Sequence, residues 1–310
     1  MSQNKQELAM IKKDTVDVVA GKVKQFQEKG ELHFPTNYSP ENAMKSAWLK
    51  LQEVKAKSGK DYVPVLQHCT KDSVANSLLN MVVQGLNPAK NQGYFIAYGK
   101  SLTFQRSYFG TMAVTKRVTG AKSIDAAVIY EGDKVDYEMK AGKITSLSHK
   151  QQFNNINKDK ITGAYCIITL PNGEEYTELM TMEEIRKAWS KSQMWGKEQT
   201  KEKEGSTHDE FKQEMAKKTV INRACKKFIN SSDDSSLVID HFNQTDESAE
   251  EAQVEEEINS NANGDYIDVE YTEPEPDPEP HQTNESDDES FQQAIDDFEK
   301  EHQTTSGPSF

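Results

Sequence analysis

Cysteine is scarce: Cys69, Cys166 and Cys225 are the three in 310 residues. Widely spaced, they offer neither a disulfide framework nor a Cys-x-x-Cys metal pair, which points to a reducing compartment. Long hydrophobic runs are missing too. Runs such as Tyr94 to Tyr98 and Ala126 to Tyr130 reach about five residues, against the roughly 18–20 of a membrane span. Residues Met1 to Glu7 carry no secretory apolar region. The expectation is a soluble, cytoplasmic protein with no membrane partner. The seven histidines supply no His-x3-His or Cys/His spacing, and His68-Cys69 reads as structural, so no metal or other cofactor is expected. There is no Gly-x-Ser-x-Gly elbow and no internal repeat.

Two motifs resemble catalytic ones. Gly93 to Ser101 ends in Gly-Lys-Ser, but five residues separate its glycines where a phosphate-binding loop has four, and the insert is a β-forming aromatic run. It reads as a hairpin turn, and ATP use has no support. Asp133, Glu138 and Lys140 match the Asp…Glu-x-Lys pattern of Mg²⁺-dependent nucleases, in which carboxylates hold the metal. A solvated hairpin is the plainer reading, and the nuclease stands as the alternative function.

Charge is abundant and unevenly placed. The chain has 37 Lys and Arg against 51 Asp and Glu, a net charge of −14, which taken whole argues against nucleic acid. From Ser231 onward, however, 25 acids face one base, Lys300, so this segment carries −24. Residues 1–230 have 36 basic and 26 acidic side chains and carry +10. The acidic segment includes Glu273 to Pro280, an alternation of acid and proline that favours extended backbone, and residues 231–310 are expected to be a disordered tail. Within the tail, Phe291, Ile295 and Phe298 recur at helical spacing, as in a partner-docking helix near 290–300.

Periodicity divides the rest. Val16, Val19, Val23 and Phe26 form one face of an N-terminal helix, which packs on its own body or on a neighbouring subunit; residues 1–36 form this segment. Ser39-Pro40 starts a second helix, expected to stop near Ser58-Gly59, and Thr70 starts a third, ending at Gly85. A hairpin about Gly99 to Ser101, a helix from Ser107 to Val118, and five strands between Ala126 and Leu179 follow. Thr181-x-x-Glu184 is a capping box opening a helix towards Trp195, and a long helix spans Asp209 to Ile229. Clustered strands without intervening helices make an α+β fold with an antiparallel core over residues 37–230.

The long helix is the most informative element. At roughly 100° per residue, Ile221, Ala224, Cys225, Phe228 and Ile229 share one arc and Lys212, Arg223, Lys226 and Lys227 the opposite one. Lys217 and Lys218 break this pattern. Lys100, Arg106, Lys116, Arg117, Lys143, Lys150, Lys187, Lys191 and Lys197 lie elsewhere, interleaved with Tyr94, Tyr108, Phe109, Trp189 and Trp195. Cations that follow a phosphate backbone, with rings on which bases stack, suit sequence-tolerant single-strand binding.

Several blocks occur in a specific order and spacing: Gly85 to Pro88, Phe95 to Gly99, Gln105 to Gly110, Arg117 to Gly120, Val128 to Asp133, His149, Tyr165, Met180-Thr181, Trp195, and Glu214-Met215-Ala216-Lys217-Lys218-Thr219 with Arg223. The ordered set resembles the RecT family of phage single-strand annealing proteins, over about residues 35–230. Two positions depart from it: Ser107 stands where a glycine is usual, and Phe228-Ile229-Asn230 replaces the common Leu-Pro. The resemblance implies an ATP-independent recombinase without covalent chemistry, phage- or prophage-encoded, in a bacterial cell. It would coat single-stranded DNA exposed by a partner exonuclease and anneal it to its complement through a duplex intermediate. It would assemble into rings or helical filaments, with the host single-strand-binding protein as a further candidate partner. The candidate DNA-binding residues are Lys100, Gln105, Arg106, Tyr108, Lys116, Arg117, Lys191, Trp195, Lys197, Lys217, Lys218, Arg223, Lys226 and Lys227.

Overall fold

The structure, a computed structural model, describes residues 2–58, 61–190, 204–231 and 237–246. Helix α1 (Ser2–Lys12) runs through a π-helical turn at Lys13–Asp17 into α2 (Val18–Glu28). The stripe Val16, Val19, Val23 and Phe26 is buried. Ser39 Oγ accepts from Asn42 N and Pro40 takes the first position of α3 (Pro40–Glu53), as the signals require. This helix stops before Ser58 because Lys55–Ser58 (β1) and Asp61–Pro64 (β2) pair as antiparallel strands. With Ala56 the one buried side chain of β1, the strand leaves almost no periodic signal.

A short α4 (Val65–His68) precedes α5 (Lys71–Val83), whose cap is Thr70 and against which α2 packs. Gly85 closes α5 at φ +60°, a conformation glycine adopts at little cost. Strands β3 (Gly93–Tyr98) and β4 (Ser101–Arg106) pair with Tyr98 opposite Ser101, so Gly99-Lys100 is a two-residue hairpin turn. Ser107 starts α6 (Tyr108–Thr119): its Oγ accepts from Gly110 N at 3.2 Å and donates to Asn91 O at 2.6 Å. The departure from glycine at this position therefore supplies a helix cap.

The central sheet is antiparallel, in the order β5 (Ser123–Tyr130), β8 (Ile161–Thr169), β9 (Glu175–Thr181). Between β5 and β8 the chain forms a separate ribbon, β6 (Lys134–Lys140) with β7 (Lys143–Lys150). The capping box of Thr181 and Glu184 opens α7 (Met182–Trp189). After α8 (Thr207–Glu210) the helical path breaks at Phe211 and resumes as α9 (Lys212–Asn230), so the expected single helix is two. Ile124, Val128, Cys166, Ile168 and Met180 of the sheet pack with Ile185 and Trp189 of α7 and with Ala216, Val220, Ala224 and Cys225 of α9. The fold is α+β, as expected. Among the described residues no helix is long and apolar enough to cross a membrane.

Residues 237–246 form a further helix, α10, where the sequence reading has disordered tail. Val238, Ile239 and Phe242 are buried in it. Burying a phenylalanine and two aliphatic side chains contributes several kcal/mol, enough to hold a short helix on a body. The stripe is hidden in the sequence because Asp233, Asp234, Asp240 and Asp246 dilute it. The tail motif at Phe291, Ile295 and Phe298 lies outside the described residues.

Candidate nucleic-acid interface

A groove of about 510 Å³ opens where the end of β4, the start of α6, one flank of α9 and α10 meet. Lys218, Asn222 and Lys226 follow at i, i+4 and i+8 along α9, a spacing that stacks them on one flank. The outer two are about 12 Å apart along the axis. Tyr94, Tyr108 and Phe109 stand on the other side; Tyr108 and Phe109 rings lie 4.1 Å apart, and Tyr94 and Phe109 are about half exposed at 52% and 48%. Gln105 and Arg106 complete that wall. Among the described lining residues three are cationic, Arg106, Lys218 and Lys226, and one is acidic, Asp246. Asn222 Oδ1 is buried with no hydrogen-bond partner among the described residues.

Arg106 is the best-held cation, its side chain 2% exposed. Nε donates to Thr111 Oγ1 at 3.2 Å, Nη1 to Gln84 Oε1 at 2.7 Å and Phe242 O at 3.0 Å, and Nη2 to Asp246 Oδ1 at 2.7 Å. The guanidinium also stacks on Phe242, 3.5 Å from the ring centroid. Burial lowers its pKa to about 10, with Asp246 pulling it back up, so it stays charged at neutral pH. Asp246 Oδ2 lies 3.3 Å from Lys226 Nζ.

The other sequence candidates divide. Arg117 caps α5 from outside: Nη1 donates to Gln84 O, Nη2 donates to Gly85 O at 2.8 Å, and the guanidinium sits 5.7 Å from the Tyr38 ring. A cation on terminal helix carbonyls is a stabilising arrangement with no need of DNA. Arg223 and Lys227 face β9, where Glu178 takes Arg223 Nε at 3.0 Å and Lys227 Nζ at 3.1 Å, and Glu184 takes Arg223 Nη1 at 3.4 Å. Lys217 pairs with Glu214 at 3.1 Å and does not line the groove. Lys100, in the β3–β4 turn, and Lys116, on α6, are exposed outside its lining. Lys191, Trp195 and Lys197 lie outside the described residues. Trp189 is core, its Nε1 donating to Thr219 Oγ1 at 2.8 Å. Sequence reasoning missed Asn222 and Asp246; the i, i+4, i+8 series through Lys218 and Lys226 was the signal for the first.

The nuclease pattern is not assembled. Asp133 sits at the base of the β6–β7 ribbon with its side chain out of contact with solvent, accepting from Tyr130 N, Gln151 Nε2 and Asn155 Nδ2 at 2.9 Å each and from His149 Nε2 at 3.1 Å. Because an ionised carboxylate only accepts, His149 Nε2 donates to it, and His149 Nδ1 lies 3.2 Å from Tyr165 Oη. Burial raises the Asp133 pKa, but the hydrogen bonds from Gln151, Tyr130 N, Asn155 and His149 outweigh it and hold the carboxyl well below its usual range. Glu138 lies five residues along an extended strand, roughly 17 Å away, exposed near the ribbon's tip with Lys140. Among the described residues no group of three or more acids, histidines or cysteines is placed to hold a metal.

Compared with known proteins, residues 41–262 match the model of the RecT family. No curated protein matches the chain.

Proposed function

The chain belongs to the RecT family, whose members act in recombination by single-strand annealing, and from that premise we propose that it binds single-stranded DNA along the α9 groove and pairs it with its complement without ATP. The observation that carries this reading is the groove itself. Lys218 and Lys226 offer exposed cations to a phosphate backbone, Arg106 adds a third charge, and Tyr94, Tyr108 and Phe109 line the same groove with rings on which bases stack.

Annealing needs no fuel because base pairing is downhill; the protein's part is to lower the barrier. Cations let two anionic strands approach, and bases held in order sample register at high effective concentration. Contacts to the backbone dominate, since a protein that pairs any sequence does not read base edges. Assembly of many copies in a ring or filament raises avidity for long strands. An exonuclease supplies the strand, and the acidic tail offers a docking segment for that partner or for a host single-strand-binding protein.

Lys218→Ala is expected to weaken binding of a fluorescent oligothymidylate and to flatten the slope of log K against log salt by about one. Lys217→Ala should leave both near wild type. Wild-type binding by a folded Lys218→Ala protein would overturn the groove assignment. With labelled complementary strands and Mg²⁺, full-length duplex is expected; shortened product would favour the nuclease.

A further inference from the structure

Among the described residues of the groove lining, the one acid is Asp246. Asp246 bridges two of the three cations, at 2.7 Å from Arg106 Nη2 and 3.3 Å from Lys226 Nζ. An oxygen anion at hydrogen-bond distance from a guanidinium and an ammonium is what a backbone phosphate would be at that position. The carboxylate is also reachable: its side chain is 29% exposed, whereas that of Arg106 is 2% exposed.

We propose that Asp246 is an internal stand-in for a DNA phosphate, which holds one end of the groove closed and is exchanged for phosphate when a strand enters. This rests on reading the groove as the strand's path. The body supplies the fixed half of the site. Arg106 is also held by Thr111 and Gln84, partners that do not belong to α10. The exchangeable half is carried by α10, which is tied to the body through Gln84 Nε2 donating to Thr245 Oγ1 at 2.7 Å, and through Phe242 under the guanidinium. When Asp246 leaves, the buried arginine does not remain uncompensated, because phosphate takes the same two donors. Exchange of one anion for another avoids the large cost of stripping a partner from a buried charge. The consequence is weaker, more reversible binding than the bare cations would give, and strands are released and re-registered more readily.

The test uses the full chain and a fluorescent dT40 probe at low salt. Asp246→Asn keeps the size and removes the charge. It should lower the melting temperature of the DNA-free protein, because Arg106 and Lys226 lose their counterion, yet tighten dT40 binding by about tenfold. Asp246→Glu should restore values near wild type. A purely structural Asp246 would lower the melting temperature and leave affinity unchanged or weaker, and that result would overturn the proposal. Hydrogen exchange on the wild-type protein is a second measurement, independent of any variant. Addition of dT40 should speed exchange of the amides of residues 242–246 while slowing those of Lys218 to Lys226; slower or unchanged exchange at 242–246 would overturn it. Weaker binding by Lys218→Ala beside unchanged binding by Asp246→Asn would remove the stand-in and keep the groove. Unchanged binding by both would remove both.

Discussion

Asp133 shows how much one buried carboxylate does. Four donors converge on it, and through His149 and Tyr165 it ties the base of the β6–β7 ribbon to strand β8. Losing the charge leaves donors without an adequate acceptor, so Asp133→Asn should cost about 2 kcal/mol at neutral pH. The pH dependence has a definite sign. The folded pKa lies below that of the unfolded chain, near 3.9, so the contribution is complete above about pH 4 and is lost as pH falls towards the folded value. Thermal melts of wild type and variant should therefore differ most at pH 7 and converge as the medium becomes acid. A constant gap down to pH 2 would show that the charge is not what stabilises the ribbon.

At the scale of elements, β8 carries the load, since it pairs with β5 on one side and β9 on the other. Gly163 permits that close pairing: a Cβ there would stand 2.6 Å from Met180 O, a backbone atom that cannot swing aside. Gly163→Ala should destabilise by about 1–3 kcal/mol, visible as a lower denaturant midpoint; an unchanged midpoint would mean that β9 shifts at little cost. The same scale explains what the sequence discloses. Caps at Ser39, Thr70, Ser107 and Thr181 are local, short-range chemistry, and each is found where its residues require. The β1–β2 pair and α10 depend on distant partners, Ala56 and Phe242 being apolar positions that gain meaning only from what covers them. Charge was legible as composition but not as geometry. Arg117, Arg223 and Lys227 look like DNA ligands in a sequence, and their partners, Gly85 O, Glu178 and Glu184, come from other elements.

For the whole molecule, α10 moves the electrostatic boundary. Residues 1–246 carry 36 bases and 30 acids, or +6, and residues 247–310 carry 21 acids and one base, or −20. A chain ending at Asp246 should keep the wild-type melting temperature and bind single strands more tightly at low salt, with the difference shrinking as salt screens it. One ending at Asn230 should melt lower, because the surfaces that receive Val238, Ile239 and Phe242 are laid bare. Equal affinity of the first truncation and the full chain at low salt would show that the −20 segment does not compete for the groove.

The three cysteines have a practical consequence at this scale. Cys166 and Cys225 are buried, and burial pushes both thiols up; Cys69 is part-buried and pushed to about 11. At neutral pH all three therefore stay thiols rather than thiolates, so thiol-directed dyes will react slowly with the native protein. A cysteine introduced at an exposed position such as Phe153, 87% exposed, would take a fluorophore ahead of all three. The chain is then labelled at one chosen position while keeping all three of its cysteines.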